Sequence, residues 1–379
     1  MMKKNLNEWV QEELEYATSK VKANMNDFYD KVLPATSREN RFYPEDAHDW
    51  TASFWVGILQ LAKEYEENQE YDSIIEEQLN LFKYRLDHRI ALDTHDLGFL
   101  YSLSAVADFR LTGNQDSKTL AIRAANELMV RYFPKAEIIQ AWGDLDDINN
   151  CGRMIIDCLM NLPLLYTVSQ WTGDTKYQEA AYGHAKQAAK YMVRDDYTTF
   201  HTYYMNVETG EPRFGSTQQG YSDDSCWARG QAWSIYGFTL SYLYTGDSSF
   251  LELAEKLADY FIAHLPEDLI CYWDLIFTVG DEERDSSAAA IAVCGLLELS
   301  KHLPLTHPKK DSYNQTAVAI LSSLSEKYTT KNVPEANGIL LHSVYDKKSA
   351  KGVDEMSSWG DYFYLEALIR LYKAWNLYW

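Results

Sequence analysis

Cysteine is scarce in this chain of 379 residues: Cys151, Cys158, Cys226, Cys271 and Cys294 are odd in number and widely scattered, with no CxxC pair. That excludes a disulfide framework and offers no zinc-ligand spacing, so reduced, mostly buried thiols are expected. No apolar run reaches the length that crosses a bilayer. The start, Met1-Met2-Lys3-Lys4-Asn5-Leu6-Asn7-Glu8-Trp9, passes straight into a polar helical pattern without the apolar segment of a secretory signal. The chain as written is therefore expected in the cytoplasm, unless a leader has been removed. Positive charge is in deficit, with 35 Lys and Arg against 56 Asp and Glu and a net charge of −21. Phosphate backbones and anionic membrane surfaces attract the opposite sign, which argues against nucleic acid and membrane as partners. An anionic small substrate would need cationic or amide help inside a pocket. Convincing strands are also rare. Residues 198–205 and 339–345 alternate best, and both read as arms of short hairpins on long loops.

What the chain does have is helical periodicity and aromatic rings. Phe54, Ile58, Leu61, Ala62 and Tyr65 recur at three- and four-residue steps, as do Leu251, Leu253, Ala254, Leu257, Ala258 and Phe261. A quasi-repeat runs beneath this pattern: Tyr65-Glu66-Glu67-Asn68-Gln69-Glu70-Tyr71, Leu111-Thr112-Gly113-Asn114, Trp171-Thr172-Gly173-Asp174 and Tyr244-Thr245-Gly246-Asp247. Glycine there suits a left-handed helix C-terminus, and the Asn or Asp after it suits the start of the next helix. The spacing leaves room for two helices per unit and about six units in all. An open solenoid would end in atypical capping repeats. Here Trp359-Gly360-Asp361-Tyr362-Phe363-Tyr364-Leu365-Glu366-Ala367-Leu368 is as apolar as the middle, so a closed double-helical toroid is expected. It would form one domain over residues 1–379, with the long loops gathered at one mouth.

Those loops concentrate Trp, His, Asp, Gln and Arg. They are Ala47-His48-Asp49-Trp50-Thr51, Thr94-His95-Asp96, Gln140-Ala141-Trp142-Gly143-Asp144, Gln218-Gln219-Gly220, and the run from Asp223 to Trp233. The 28 Tyr, 14 Phe and 11 Trp lean toward carbohydrate, because aromatic faces stack on the C–H faces of sugars. Two acids stand out. Asp157 lies in the apolar run Met154-Ile155-Ile156-Asp157-Cys158-Leu159-Met160, where an ionised side chain is costly to bury. Asp96 follows a histidine and precedes Gly98, which lets other groups approach the backbone. Enzymes use such pairs to protonate a sugar-derived oxygen or carbon and to activate water. Spacing alone leaves the structural alternative open, with Asp96 capping a helix and Asp157 a satisfied core acid.

Taken in order, from Asp49-Trp50 through Trp227-Ala228-Arg229-Gly230-Gln231-Ala232-Trp233 to Trp359-Gly360-Asp361-Tyr362, these segments resemble the unsaturated glucuronyl hydrolases over essentially the whole chain. The resemblance implies an all-α (α/α)6 barrel with short β-hairpins in its loops and no metal or organic cofactor. It further implies removal of the 4,5-unsaturated uronic acid from the non-reducing end of lyase-generated oligosaccharides, glycosaminoglycan disaccharides above all. Asp157 matches the family's general acid and base, its pKa raised by Ile155, Ile156 and Leu159, and Asp96 matches the second carboxylate. Trp50, Trp142 and Trp233 match stacking residues, with core aromatics as the alternative. His95, His201, Gln219 and Arg229 match polar contacts, and Arg229 is the natural bidentate partner of the uronate. For Arg229 the alternative is an ion pair with Asp223 or Asp224. Tyr345 matches a late tyrosine.

The family's sulfate-preferring members carry a Ser-x-x-Ser-x-Lys pattern. Here Asp346 takes the first place and Ser349 and Lys351 the others, while Gln218 stands where a basic residue would serve a sulfate better. Three rivals remain at this stage. An unsaturated rhamnogalacturonyl hydrolase would use the same acid, a sugar epimerase would be expected to use histidines, and a non-catalytic sugar-binding toroid need not keep Asp157.

Overall fold

The computed structural model describes residues 5–147 and 151–379, so the charged start Met1–Lys4 lies outside it. In chain order its helices are α1 (Leu6–Asn24), α2 (Ser53–Glu66), α3 (Asp72–Asp87), α4 (Leu97–Tyr101), α5 (Ala107–Thr112), α6 (Gln115–Met129), α7 (Leu162–Thr172), α8 (Thr175–Tyr191), α9 (Ala228–Thr245), α10 (Ser248–Ala263), α11 (Ser286–His302), α12 (Lys310–Lys327) and α13 (Ser358–Tyr372). A π-helical turn, Ser102–Val106, joins α4 to α5 without a break. Short strands sit between them: β1 (Tyr132–Phe133), β2 (Ile138–Ile139), β3 (Arg153–Ile155), β4 (Thr202–Met205), β5 (Pro212–Ser216), β6 (Ser343–Asp346) and β7 (Lys351–Glu355).

The helices form two concentric rings. The inner ring is α2, α4–α5, α7, α9, α11 and α13, each packed on the next, with α13 returning to α2 to close it. The outer ring is α1, α3, α6, α8, α10 and α12, each lying against the inner helix that precedes or follows it. This is an (α/α)6 barrel. Burial explains which helix goes where. Every residue of Ala228–Ser241 in α9 and of Ser286–Ser300 in α11 is buried, as required of a helix enclosed on all sides. In α10 the buried positions are Phe250, Leu251, Ala254, Leu257, Ala258 and Phe261, a single stripe that faces inward.

Three inner helices, α5, α7 and α9, pass to outer ones through tight turns built alike. Gly113, Gly173 and Gly246 take φ of 75, 74 and 73°. In each turn the preceding threonine accepts from the amide of the following Asn or Asp at 3.2 Å, as Thr112 does from Asn114. Each Asx side chain then caps the next helix. Outer helices return to inner ones through long loops, and these carry all the strands.

The expected hairpin arms are shorter than the alternation suggested. Of residues 339–345 only the end enters β6, because the Ile339 and Leu340 amides donate to the Asp361 carboxylate instead of to a strand. Of residues 198–205 only Thr202–Met205 enters β4; Thr199 instead forms an isolated antiparallel bridge with Val193, and the Arg194 guanidinium donates to the Thr198 hydroxyl and the Thr199 carbonyl. A strand absent from the sequence reading, β3, joins β4 and β5 in a three-stranded antiparallel sheet. It leads directly into Asp157. No helix among the described residues is long and apolar enough to cross a membrane.

Candidate active site

Asp96 and Asp157 meet at the N-terminal ends of the inner helices. Asp96 holds the N-cap position of α4, yet its carboxylate caps nothing. Instead Oδ2 accepts from the Thr94 hydroxyl at 2.7 Å and Oδ1 from Asn161 Nδ2 at 3.4 Å. Asp157 opens a 3-10 turn, Ile156–Met160, that follows β3. Its Oδ1 is shielded from solvent and has no hydrogen-bond partner, so it is not a satisfied core acid. Its side chain keeps 18% of its surface open.

Between the two stands His95, whose Nε2 lies 3.4 Å from Asp96 Oδ1 and 3.6 Å from Asp157 Oδ1. Burial, with Arg131 nearby, lowers this imidazole to about 3, so it is neutral and does not offset the carboxyls. Burial raises Asp96 to about 6, against the pull of its Thr94 and Asn161 hydrogen bonds and of Arg85 and Arg131. Asp157 is raised well above the ordinary carboxyl range, first by burial and then by the charge of Asp96, with Arg229 opposing. Of the two, Asp157 is the acid whose ionised form this setting disfavours more. The Nε2 and the carboxylate oxygens lie within 4.8 Å of one another, so the same atoms could ligate a cation. A cation there would force both carboxyls to ionise and remove the proton a general acid needs.

Trp50, Trp142, Trp233, His201, Gln219, Arg229 and Tyr345 join the two acids around a cleft of about 250 Å³, which Gln218, Trp227 and Asp346 also line. His95 backs the acids from behind. Several of these residues hold one another. Trp50 Nε1 donates to the Tyr345 hydroxyl at 3.0 Å, and its ring stacks on Trp359 at 5.5 Å. The Gln219 amide donates to the Tyr345 carbonyl at 3.0 Å. His201 Nδ1 accepts the Gln218 and Gln219 amides at 3.0 and 2.9 Å, which places its proton on Nε2. Trp233 is 1% exposed and packs on Phe99 and Phe363, so it forms floor more than wall.

Arg229 departs from the expected ion pair. Its ion-pair partner is Asp285, 3.6 Å away, and neither Asp223 nor Asp224. Its terminal nitrogens donate to the Val344 carbonyl, to the Tyr345 carbonyl at 2.8 Å and to Gln219 Oε1 at 3.4 Å. These bonds engage three of its five N–H donors, and Arg229 still lines the cleft. It clamps β6 to α9 and lends positive potential to Asp157. Ser349 and Lys351 are exposed beside the β6–β7 turn and do not line the cleft; Lys351 Nζ rests 4.3 Å from the Tyr345 ring centroid. Asp346 lines the cleft in their stead, its Oδ1 accepting the Lys348 and Ser349 amides.

The sequence reading missed Thr94, Asn161, Trp227 and Asp285. Asn161 follows Asp157 by one helical turn, a usable signal. Trp227 lies in a quoted run, and Asp285 left no local trace.

A family model described as Glycosyl Hydrolase Family 88 matches residues 20–374. The unsaturated chondroitin disaccharide hydrolase of Streptococcus pneumoniae is 46% identical over 355 residues, 93% of this chain and 89% of that one. The crystal structure of unsaturated glucuronyl hydrolase from Streptococcus agalactiae superposes with a TM-score of 0.95 at 45% identity, covering 98% of this chain and 93% of the other. A mutant of that enzyme complexed with dGlcA-GalNAc6S gives 0.87 at 42% identity, with the same coverage.

Proposed function

The chain belongs to glycosyl hydrolase family 88, and on that premise we propose that its cleft removes the 4,5-unsaturated uronic acid from glycosaminoglycan-type disaccharides by hydrating the C4=C5 double bond. The protein is a glycosidase acting on the non-reducing end of lyase-generated oligosaccharides. The observation that carries the mechanism is the shielded Asp157 carboxyl, with an unpartnered Oδ1, across His95 from Asp96, where burial and the Asp96 charge favour its protonated form. A group shielded from water, with one oxygen unpartnered, keeps its proton until substrate arrives and then has an acceptor for it.

In this reading Asp157 gives its proton to C4, and the electron pair of the double bond forms the new C–H bond. Positive charge develops at C5 and the ring oxygen, where the ionised Asp96 stabilises it. Water adds to C5 and passes a proton to Asp157, which is restored. The resulting C5 hemiketal opens to a ketone, leaving C1 as a hemiacetal that expels the aglycone. The stereochemical rule tied to carboxylate separation does not apply, because C1 is not the centre attacked. Trp50 and Trp142 offer ring faces to the sugar, and His201 Nε2–H and Gln218 offer donors. Asp346 in the wall supports a preference for unsulfated sugars, since its carboxylate repels a sulfate. Free thiols support a reducing compartment, the cytoplasm, and closure of the ring by α13 against α2 supports reading residues 1–379 as one domain.

The test is loss of the ultraviolet absorbance of the conjugated double bond, for unsaturated disaccharides from chondroitin, hyaluronan, heparin and pectin, beside Asp157→Asn. Loss on a glycosaminoglycan member that vanishes in the variant supports the reading. Loss on the pectin member alone transfers the protein to rhamnogalacturonyl substrates, and no loss on any of them defeats the proposal.

A further inference from the structure

The three-stranded sheet carries a feature that the hydration chemistry does not use. Arg153 on β3 lies opposite Tyr204 on β4, and Tyr204 lies opposite Phe214 on β5. Directly opposed residues share one face of an antiparallel sheet. The Tyr204 and Phe214 rings stack at 4.7 Å with 24° between their planes. Arg153 Nε donates to the Tyr204 hydroxyl at 2.9 Å, and its guanidinium lies 5.3 Å from that ring and 4.8 Å from the Trp142 ring. Trp142 is a wall of the cleft. A continuous row therefore leaves the cleft at Trp142 and ends at Phe214, whose side is 49% exposed, with the Arg213 guanidinium 5.4 Å from its ring.

We propose that the row Trp142–Arg153–Tyr204–Phe214, with Arg213 at its far end, is an outer binding site for the reducing-side sugars of an anionic oligosaccharide. This rests on the reading of the cleft given above. The cleft, about 250 Å³, is smaller than the ~300–1,000 Å³ of ordinary ligand pockets, so it encloses little beyond the reacting sugar. The unsaturated sugar is the non-reducing terminus, so the rest of the chain continues only on the reducing side and must lie outside. There it meets the exposed Phe214 ring, suited to sugar C–H surfaces, and the Arg213 guanidinium, suited to a carboxylate or sulfate. On a protein of net charge −21, arginines layered with rings beside the cleft complement an acidic chain. A row that served only to stabilise the sheet would be indifferent to substrate length.

The experiment measures KM and kcat for an unsaturated chondroitin disaccharide and the corresponding tetrasaccharide, with wild type, Phe214→Ala and Arg213→Gln. Phe214 lies three steps of 4.8, 5.3 and 4.7 Å beyond the Trp142 ring, so contact with it is expected of a tetrasaccharide and not of a disaccharide. The expected result is a tetrasaccharide KM raised about three- to tenfold in Phe214→Ala, the worth of one exposed ring contact. Arg213→Gln should raise it too, with a smaller difference at high salt. Disaccharide constants and kcat should stay within about twofold of wild type. Equal changes for both lengths, or none for either, overturn the proposal. If wild type turns over neither substrate, the reading of the cleft fails instead; tetrasaccharide binding by calorimetry then judges the row alone, with weaker binding to Phe214→Ala supporting it and equal binding refuting it.

Discussion

Gly98 stands where a Cβ would lie 2.2 Å from the Cα of Asn161. That contact seats the first turn of α4, with Asp96 at its N-cap, against the segment following Asp157. Asn161 reinforces it by accepting the Phe99 amide at 2.7 Å while its own amide reaches Asp96. Replacing Gly98 by Ala must push the segments apart, and overpacking of this kind costs about 1–3 kcal/mol. The expected outcome is a Tm lowered by several degrees together with a kcat loss much larger than the stability loss alone would cause. Thermal melts and absorbance kinetics on the same sample check both.

Asn161→Ala tests the electrostatic half of that contact. The Asn161 amide favours ionised Asp96, so without it Asp96 should bind its proton more tightly. Activity that requires ionised Asp96 rises as pH climbs through about 6 in the native protein. The variant's acid limb should move to higher pH with the alkaline limb in place. An unmoved acid limb would exclude Asn161 from this role.

Asp157→Asn removes the transferable proton and should lower kcat by roughly a hundred- to ten-thousandfold, the usual range for a general acid, with KM little changed. Wild-type activity should fall on the alkaline side as Asp157 loses its proton, because its pKa is raised. Stability follows with a definite sign. Between the ordinary carboxyl value and the raised native one, the folded protein holds a proton that the unfolded chain has released. Stability therefore falls as pH rises through that window. The Asn variant lacks this penalty and should melt above wild type at pH 8 but not at pH 4; a lower Tm at pH 8 would contradict the buried-acid assignment.

Asp346→Ser removes a carboxylate from the cleft wall. The ratio of kcat/KM for a sulfated over an unsulfated chondroitin disaccharide should rise severalfold, and the gain should shrink with added salt. A ratio that stays constant would place the sulfate away from Asp346.

Much of the architecture is legible in the sequence, because its causes are local. Three- and four-residue periodicity marks the helix faces. The Thr-Gly-Asx turns write their own capping chemistry into successive residues, as Thr112, Gly113 and Asn114 do. A carboxylate within an apolar run, Asp157, announces itself because isolation is visible in one dimension.

What only the tertiary structure decided was partnership across long separations. Arg229 could be picked out from the sequence, yet its partners Asp285, Val344 and Tyr345 lie far along the chain, and two of the bonds go to backbone carbonyls. Every residue has such a carbonyl, so the bond leaves no mark on residue type. The same holds for Ser349 and Lys351, which keep two places of the pattern but stand outside the cleft. The row from Arg153 to Phe214 exists only in the register of three strands. The sequence by itself determined which helices form and which acid is out of place; ring closure determined what each mouth loop faces, since packing, unlike periodicity, joins residues with no regular spacing between them.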